Sequence, residues 1–85
     1  MPPCQGLSLD TSASYIIRIQ GRLDPSWSDR LGGVAIQIED PAGKATITVL
    51  RGRFIDQAAL AGVLSTLYDL GFPLLSVECV GLGHR

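Results

Sequence analysis

The side chains able to do chemistry in this chain are few, and their spacing works against joint use. The one histidine, His84, is the penultimate residue, behind Gly81 and Gly83. Neither packing nor a second hydrogen-bond partner is at hand there to hold an imidazole as a base or metal ligand. Cys4 and Cys79 stand near opposite ends, with no CxxC pair and no histidine at ligand spacing. Two thiols so placed do not predict a disulfide framework. Cys79 falls on an expected core face, where a thiol is a small inert hydrophobe. Cys4 is expected to be exposed, mobile and oxidisable, with no neighbour to lower its pKa. Asp24 and Asp29 could pose as paired carboxylates, although a helix cap and a solvated helix residue explain both. The sequence has no metal-ligand cluster, no phosphate-binding glycine loop and no nucleophile elbow. The expectation is a protein that is not an enzyme and carries no cofactor.

The residues suited to recognition are more informative. Trp27 is the one tryptophan, and it lies in the connection between the first two predicted strands. It reads either as a lid over the open end of the core or as an exposed interface anchor, since Trp and Arg dominate binding hot spots. Arg18 and Arg22 would form a short basic stripe on the outer face of the first strand, and Arg51 and Arg53 lie near the entry of the helix. Four arginines without interleaved aromatics are a weak nucleic-acid signal, and a solvated sheet face explains them as well.

Four strands and one helix must position these groups. Tyr15–Leu23 alternates, with Tyr15, Ile17, Ile19 and Leu23 to one side and Arg18, Gln20 and Arg22 to the other. The segment 24–33 reads as one or two helical turns, with Asp24 at the N-cap and Pro25 at the first position. Trp27 and Leu31 then share a side. The connection is too long for a tight hairpin, so strands one and two need not be neighbours. Gly33–Glu39 is the second strand, with Val34, Ile36 and Ile38 inward. The segment 40–44 is a hairpin loop, and Ala45–Arg51 is the third strand. Its Ile47 and Val49 take one face, and Thr46, Thr48 and Leu50 the other. With Ile16 and Leu50 off the main core face, the back of the sheet is half apolar. Such a face packs on a second copy or is merely scattered apolar surface.

Asp56 can cap the main helix, whose Leu60, Val63, Leu64 and Leu67 recur at i, i+3, i+4, i+7. Gly71 suits the left-handed position past its end, Phe72 can touch Leu67, and Pro73 forbids continuation. Leu74–Val80 is the last strand, with Leu75, Val77 and Cys79 toward the helix. The crossover rule makes it parallel to strand three. The predicted fold class is α+β: a single-layer mixed four-stranded sheet, β-β-β-α-β, with the helix on one face and a short helical turn between strands one and two. Residues 1–14 are expected as a mobile tail, 15–80 as the domain and 81–85 as a second tail.

Composition narrows the classes further. At 85 residues, two domains are excluded, because roughly 40 residues per half could not close a core unaided. Folding would bury only about 63% of the unfolded chain's surface, which favours self-association. The 46% hydrophobic content excludes disorder. Seven Lys+Arg against eight Asp+Glu exclude binding to nucleic acid by bulk charge. The apolar runs are too short to span a membrane, the N-terminus lacks the pattern of a secretory signal, and a cytoplasmic location is the default.

Three stretches together carry a resemblance: YIIRIQGRLDPSWS at 15–28, DQAALAGVL at 56–64, and DLGFPLLSV at 69–77. They resemble a group of short bacterial proteins sharing IRVxGxLDxxWS, DQAALxGLL and DLGxxLLSV, to which no activity is attached. The resemblance implies a bacterial origin and covers most of 15–80. Residues 47–80 are also similar to half of an ACT-type ligand-binding domain, although Ala59 replaces the usual glycine and only one such unit is present. That likeness implies an amino-acid-like ligand at a subunit interface near Asp56, Gln57 and the end of strand three. The expected function is a non-enzymatic interaction or regulatory module, a homodimer with a possible further protein partner. The alternative is a small-molecule sensor.

Overall fold

The structure, a computed structural model, describes residues 4–82; His84 lies outside the described residues. β1 (Ala13–Gln20) has the cleanest alternation and takes a central place in the sheet. Its Ala13, Tyr15, Ile17 and Ile19 are buried on one face. A strand this apolar on one side gains most where cover is complete, between two neighbours. β2 (Ala35–Glu39), β3 (Ile47–Phe54) and β4 (Leu74–Leu82) complete the order β2-β3-β1-β4.

Every hydrogen-bonded neighbour in the sheet is antiparallel, so the expected mixed sheet is corrected on this point. β3 and β4 do run in the same direction, as their link through the helix α1 (Gln57–Asp69) requires. They do not touch, because β1 lies between them and pairs with both. Strands β1 and β2 are not neighbours, in keeping with the long segment that joins them.

The faces of β3 differ from expectation. Leu50 stands opposite both Ile17 and Ile36, and Thr48 opposite Ile19 and Ile38. Leu50 is 1% exposed, so it is a core residue and does not share the outer face with Ile16. Ile47 and Val49 take that outer face instead. Both parities of β3 are apolar, and only the pairing register with β1 decides which one meets the helix. Val49 is nevertheless buried, with Arg18 and Gln37 as its direct cross-strand partners, side chains whose long stems suit them to cover apolar surface. This removes most of the bare apolar surface expected on the back of the sheet.

Thr48 is the buried polar side chain of the core, and its hydroxyl is fully used. It donates to the Gly21 carbonyl at 2.6 Å and accepts from the Leu23 N–H at 3.1 Å. These two bonds turn the chain leaving β1 back over the core, where Leu23 is buried.

Three pieces cover the core face. α1 lies across its middle, with Leu60, Val63 and Leu67 buried. Asp56 caps it by accepting from the Ala59 N–H at 2.8 Å. Its end is the expected left-handed cap. Gly71 has φ 87°, its N–H reaches Tyr68 O at 2.9 Å, and Phe72 N–H reaches Leu67 O at 3.1 Å. The second piece is the 3₁₀ helix Pro25–Leu31, packed near β2 with Leu31 buried.

The third piece is the N-terminal segment. Leu7 packs against the core, and the Gln57 N–H donates to Leu9 O at 2.9 Å. Cys4 and Cys79 are joined as a disulfide with Cα atoms 6.0 Å apart. The expectation of two unpaired thiols is therefore corrected. Its physical reason is topological: β1 begins at Ala13 beside the C-terminal end of β4 (Ala13 opposite Leu82), so the chain before β1 passes close to Cys79. Sequence distance concealed this nearness.

The cap of the 3₁₀ helix carries a pH prediction. Asp24 Oδ1 accepts from the Ser26 N–H at 2.9 Å, and this backbone bond, with help from the Ser26 hydroxyl, holds the carboxyl below its ordinary 3.8. A depressed native pKa means the cap's contribution is complete above the unfolded value and is lost as pH falls through the folded one. An NMR titration should place the Asp24 midpoint below 3.8, with the Ser26 amide moving in step. A midpoint at or above that value would show the bond is not made in solution.

Candidate interaction surface

The residues singled out for recognition fall at four separate places. Arg18 lies on the outer sheet face, with Nη1 3.5 Å from Glu78 Oε1. Arg22 pairs with Asp40 at 3.1 Å beside the 40–44 hairpin, and Asp40 also accepts from the Thr46 hydroxyl at 2.6 Å. Both ion pairs are solvent-exposed, and pairs of this kind contribute little. Arg51 reaches Gln37 Oε1 at 3.4 Å, and Arg53 reaches Ser12 Oγ at 3.1 Å. The arginines are thus spread across sheet and edge, each beside a polar partner.

Asp56 and Gln57 stand together at the start of α1, and both are engaged. Asp56 caps the helix, and Gln57 Nε2 donates to the Tyr15 hydroxyl at 2.6 Å. Tyr15 in turn meets Phe54 edge to face, with ring centroids 5.8 Å apart. The group acts as a tie between helix, sheet and N-terminal segment.

Trp27 is half-buried against the core, and the Arg30 guanidinium stands 4.9 Å from its ring centroid. The 3₁₀ helix that bears it is closed by Gly32 at φ 80° and by the Ser28 hydroxyl, which donates to Val34 O at 2.5 Å. Because Trp27 is covered in part and not wholly, Trp27→Ala should cost about 2 kcal/mol, below the range for a fully buried Trp. Urea denaturation measures this directly, and a loss under about 0.5 kcal/mol would mean that the ring rests on nothing.

The surface that the sequence reading missed is β4 and the ground beside it. Register sets Val77 opposite Ile17 and Cys79 opposite Tyr15, on the helix side as expected. A shift between Arg18 and Ile19 then puts Leu74 opposite Ile19 and leaves Leu75 in the irregularity. Yet α1 does not cover this strand. Leu74 is 53% exposed, Leu75 47%, Val77 37% and Val80 41%. Between the end of α1 and the start of β4 runs an open groove of about 680 Å³, lined by Leu64, Leu67, Tyr68, Phe72, Pro73 and Leu74 among others. The available signal was the composition of the strand itself, LLSVECVGL, which has one charge and apolar residues at both parities.

The two edges of the sheet contrast. β2 is five residues long, presents Gln37 and Glu39 outward and runs into Asp40-Pro41; these are features that blunt an edge. β4 is nine residues long, and its single charge, Glu78, is turned to the outer face beside Arg18. Among the described residues there is no group of histidine, cysteine and carboxylate side chains that could hold a metal ion. No helix among them is long and apolar enough to cross a membrane.

Neither the curated proteins nor the solved structures contain a match to this chain. A family model does match, over residues 14–78. This stretch runs from the start of β1 into the middle of β4, so it holds the helix and most of the sheet, while Cys4 and Cys79 both fall outside it. The chain belongs to the family described as Domain of unknown function (DUF8691).

Proposed function

We propose that the domain is a non-enzymatic interaction module that works as a homodimer, with the unpaired edge of β4 as its contact. The observation that carries this reading is the nine-residue antiparallel edge with four exposed apolar side chains and a single charge, Glu78, which is paired with Arg18 on the outer face. An exposed edge of this kind is a template for another strand. A second copy is the partner that fits best, because one strand meeting itself antiparallel satisfies a two-fold axis. The strand is about 30 Å long, and with the groove beside it forms a strip suited to an interface of about 800 Å² per partner. The titratable groups support a non-enzymatic role, since Asp24, Asp40, Asp56 and Glu78 are each spent on caps or ion pairs.

Light scattering of the full chain at tens of micromolar should give twice the 9.0 kDa of one copy. Val77→Lys should return it to one copy without loss of secondary structure, because this side chain is already in contact with water. A wild-type monomer, or a dimer indifferent to Val77→Lys, overturns the reading. The sensor alternative draws less support, as Asp56 Oδ1 and Gln57 Nε2 are already engaged in the helix cap and the tie to Tyr15.

A further inference from the structure

We propose that Cys4 and Cys79 form a reversible thiol–disulfide switch, which clasps the N-terminal segment across the gap between the start of α1 and the C-terminal half of β4. The regulatory half of this proposal rests on the reading of β4 as the self-association edge. Cys79 lies within that edge strand, on the face that looks toward the helix. From Cys4 the chain runs to Leu7 on the core and then to Leu9, whose carbonyl holds the first amide of α1. Residues 4–9 therefore bridge from the β4 edge to the start of the helix. They close the end of the helix–strand gap opposite to the open 680 Å³ groove.

Little else holds the segment. Its internal bonds are local, Leu7 N–H to Cys4 O at 3.2 Å and Ser8 to Thr11, and Leu9 is 76% exposed. The disulfide, closing a ring across 75 positions of sequence, is the one covalent tie. Both cysteines are half-buried, so a small thiol can reach them. A glutathione-class thiolate attacks one sulfur and forms a mixed disulfide, and a second thiol resolves it. The S–S bond breaks, two thiols are oxidised to their disulfide, and Cys4 and Cys79 each leave as a thiol carrying one proton. The reverse exchange with the oxidised form of the same reagent closes the clasp. Disulfides of this transient kind are those that a reducing compartment permits. With the clasp open, the apolar strip beside β4 lengthens toward Cys79 and Leu82, and a second copy gains contact surface.

The test uses the full chain equilibrated in oxidised or reduced glutathione, with the Cys4→Ser/Cys79→Ser variant as a permanently open form. Maleimide labelling should add nothing to the oxidised protein and two adducts to the reduced one. Hydrogen exchange at residues 5–11 and at the Gln57 amide should quicken at least tenfold on reduction, with β1 and β3 unchanged. In hydrogen exchange, the double variant should match the reduced form in both buffers. Light scattering should find the dimer forming at an at least threefold lower concentration once the clasp is open. Exchange that ignores reduction, or two free thiols in oxidised glutathione, overturns the switch whatever the association state. Dimerisation weakened by reduction overturns the regulatory half. Faster exchange with no dimer in either buffer upholds the clasp and overturns the β4 reading alone.

Discussion

Leu50→Ala should lower the free energy of unfolding by about 3 to 4 kcal/mol, the range for a leucine removed from a packed core. Leu50 is almost wholly buried, facing Ile17 on one neighbour and Ile36 on the other. The cavity would open in the middle of the sheet, where paired strands on both sides prevent collapse. For a domain whose total stability is about 5 to 15 kcal/mol, this is a large fraction. It corresponds to a fall in Tm of at least about 12 °C at this size. Urea denaturation and calorimetry check it. The outer-face position that β3's alternation suggested predicts the opposite pattern, a loss under about 1 kcal/mol with weaker self-association. Near-native stability in Leu50→Ala would therefore refute the register between β1 and β3.

Gly52→Val should cost about 3 kcal/mol, although valine is a better strand residue than glycine. Gly52 sits on the core face of β3, opposite Tyr15. A Cβ built there would lie 2.7 Å from Val34 Cγ1 and 3.3 Å from Val34 Cβ. Val34 is itself buried just before β2, and its Cβ and Cα, which no rotamer change can move, are also close at 3.3 and 3.4 Å, so backbone or strand must shift. The cause can be isolated by a double-mutant cycle. Val34→Ala alone should cost about 2 kcal/mol through its cavity, but in the Gly52→Val background it should cost far less or restore stability. A coupling of at least about 1 kcal/mol is expected, and strict additivity would exclude the clash.

The local elements were legible for local reasons. Asp24 before Pro25 marks a helix start because the carboxylate takes an orphan N–H and proline has none to lose, and the 3₁₀ helix begins there. Gly71-Phe72 marks the end of α1 because only glycine reaches the left-handed cap without strain, and the two N–H groups close on the Tyr68 and Leu67 carbonyls. The stripe 60, 63, 67 is buried as spaced, while Leu64 at its margin is half-covered. Within the candidate surface, Trp27 and Leu31 do share the inward side of their helix. The exposed edge, by contrast, was hidden. Leu75, Val77 and Cys79 have the spacing of a strand packed under a helix, and nothing in that spacing says how far the helix reaches.

The sequence by itself determined which segments form strands and helix, to within two or three residues at their ends, which residues cap the helices, and that β1 carries the purest core face. These follow from φ/ψ preferences, capping bonds and side-chain period, all of which act within a few residues. Only the tertiary structure decided that β1 enters between β3 and β4, that Leu50 and not Val49 faces the helix, and that Cys4 meets Cys79. Each of these is a pairing between segments far apart in the chain. A one-residue change of register exchanges the two faces of a strand, so they are settled by which arrangement buries the most apolar surface at once. The same competition placed α1 over the middle of the sheet and left β4 open at its edge.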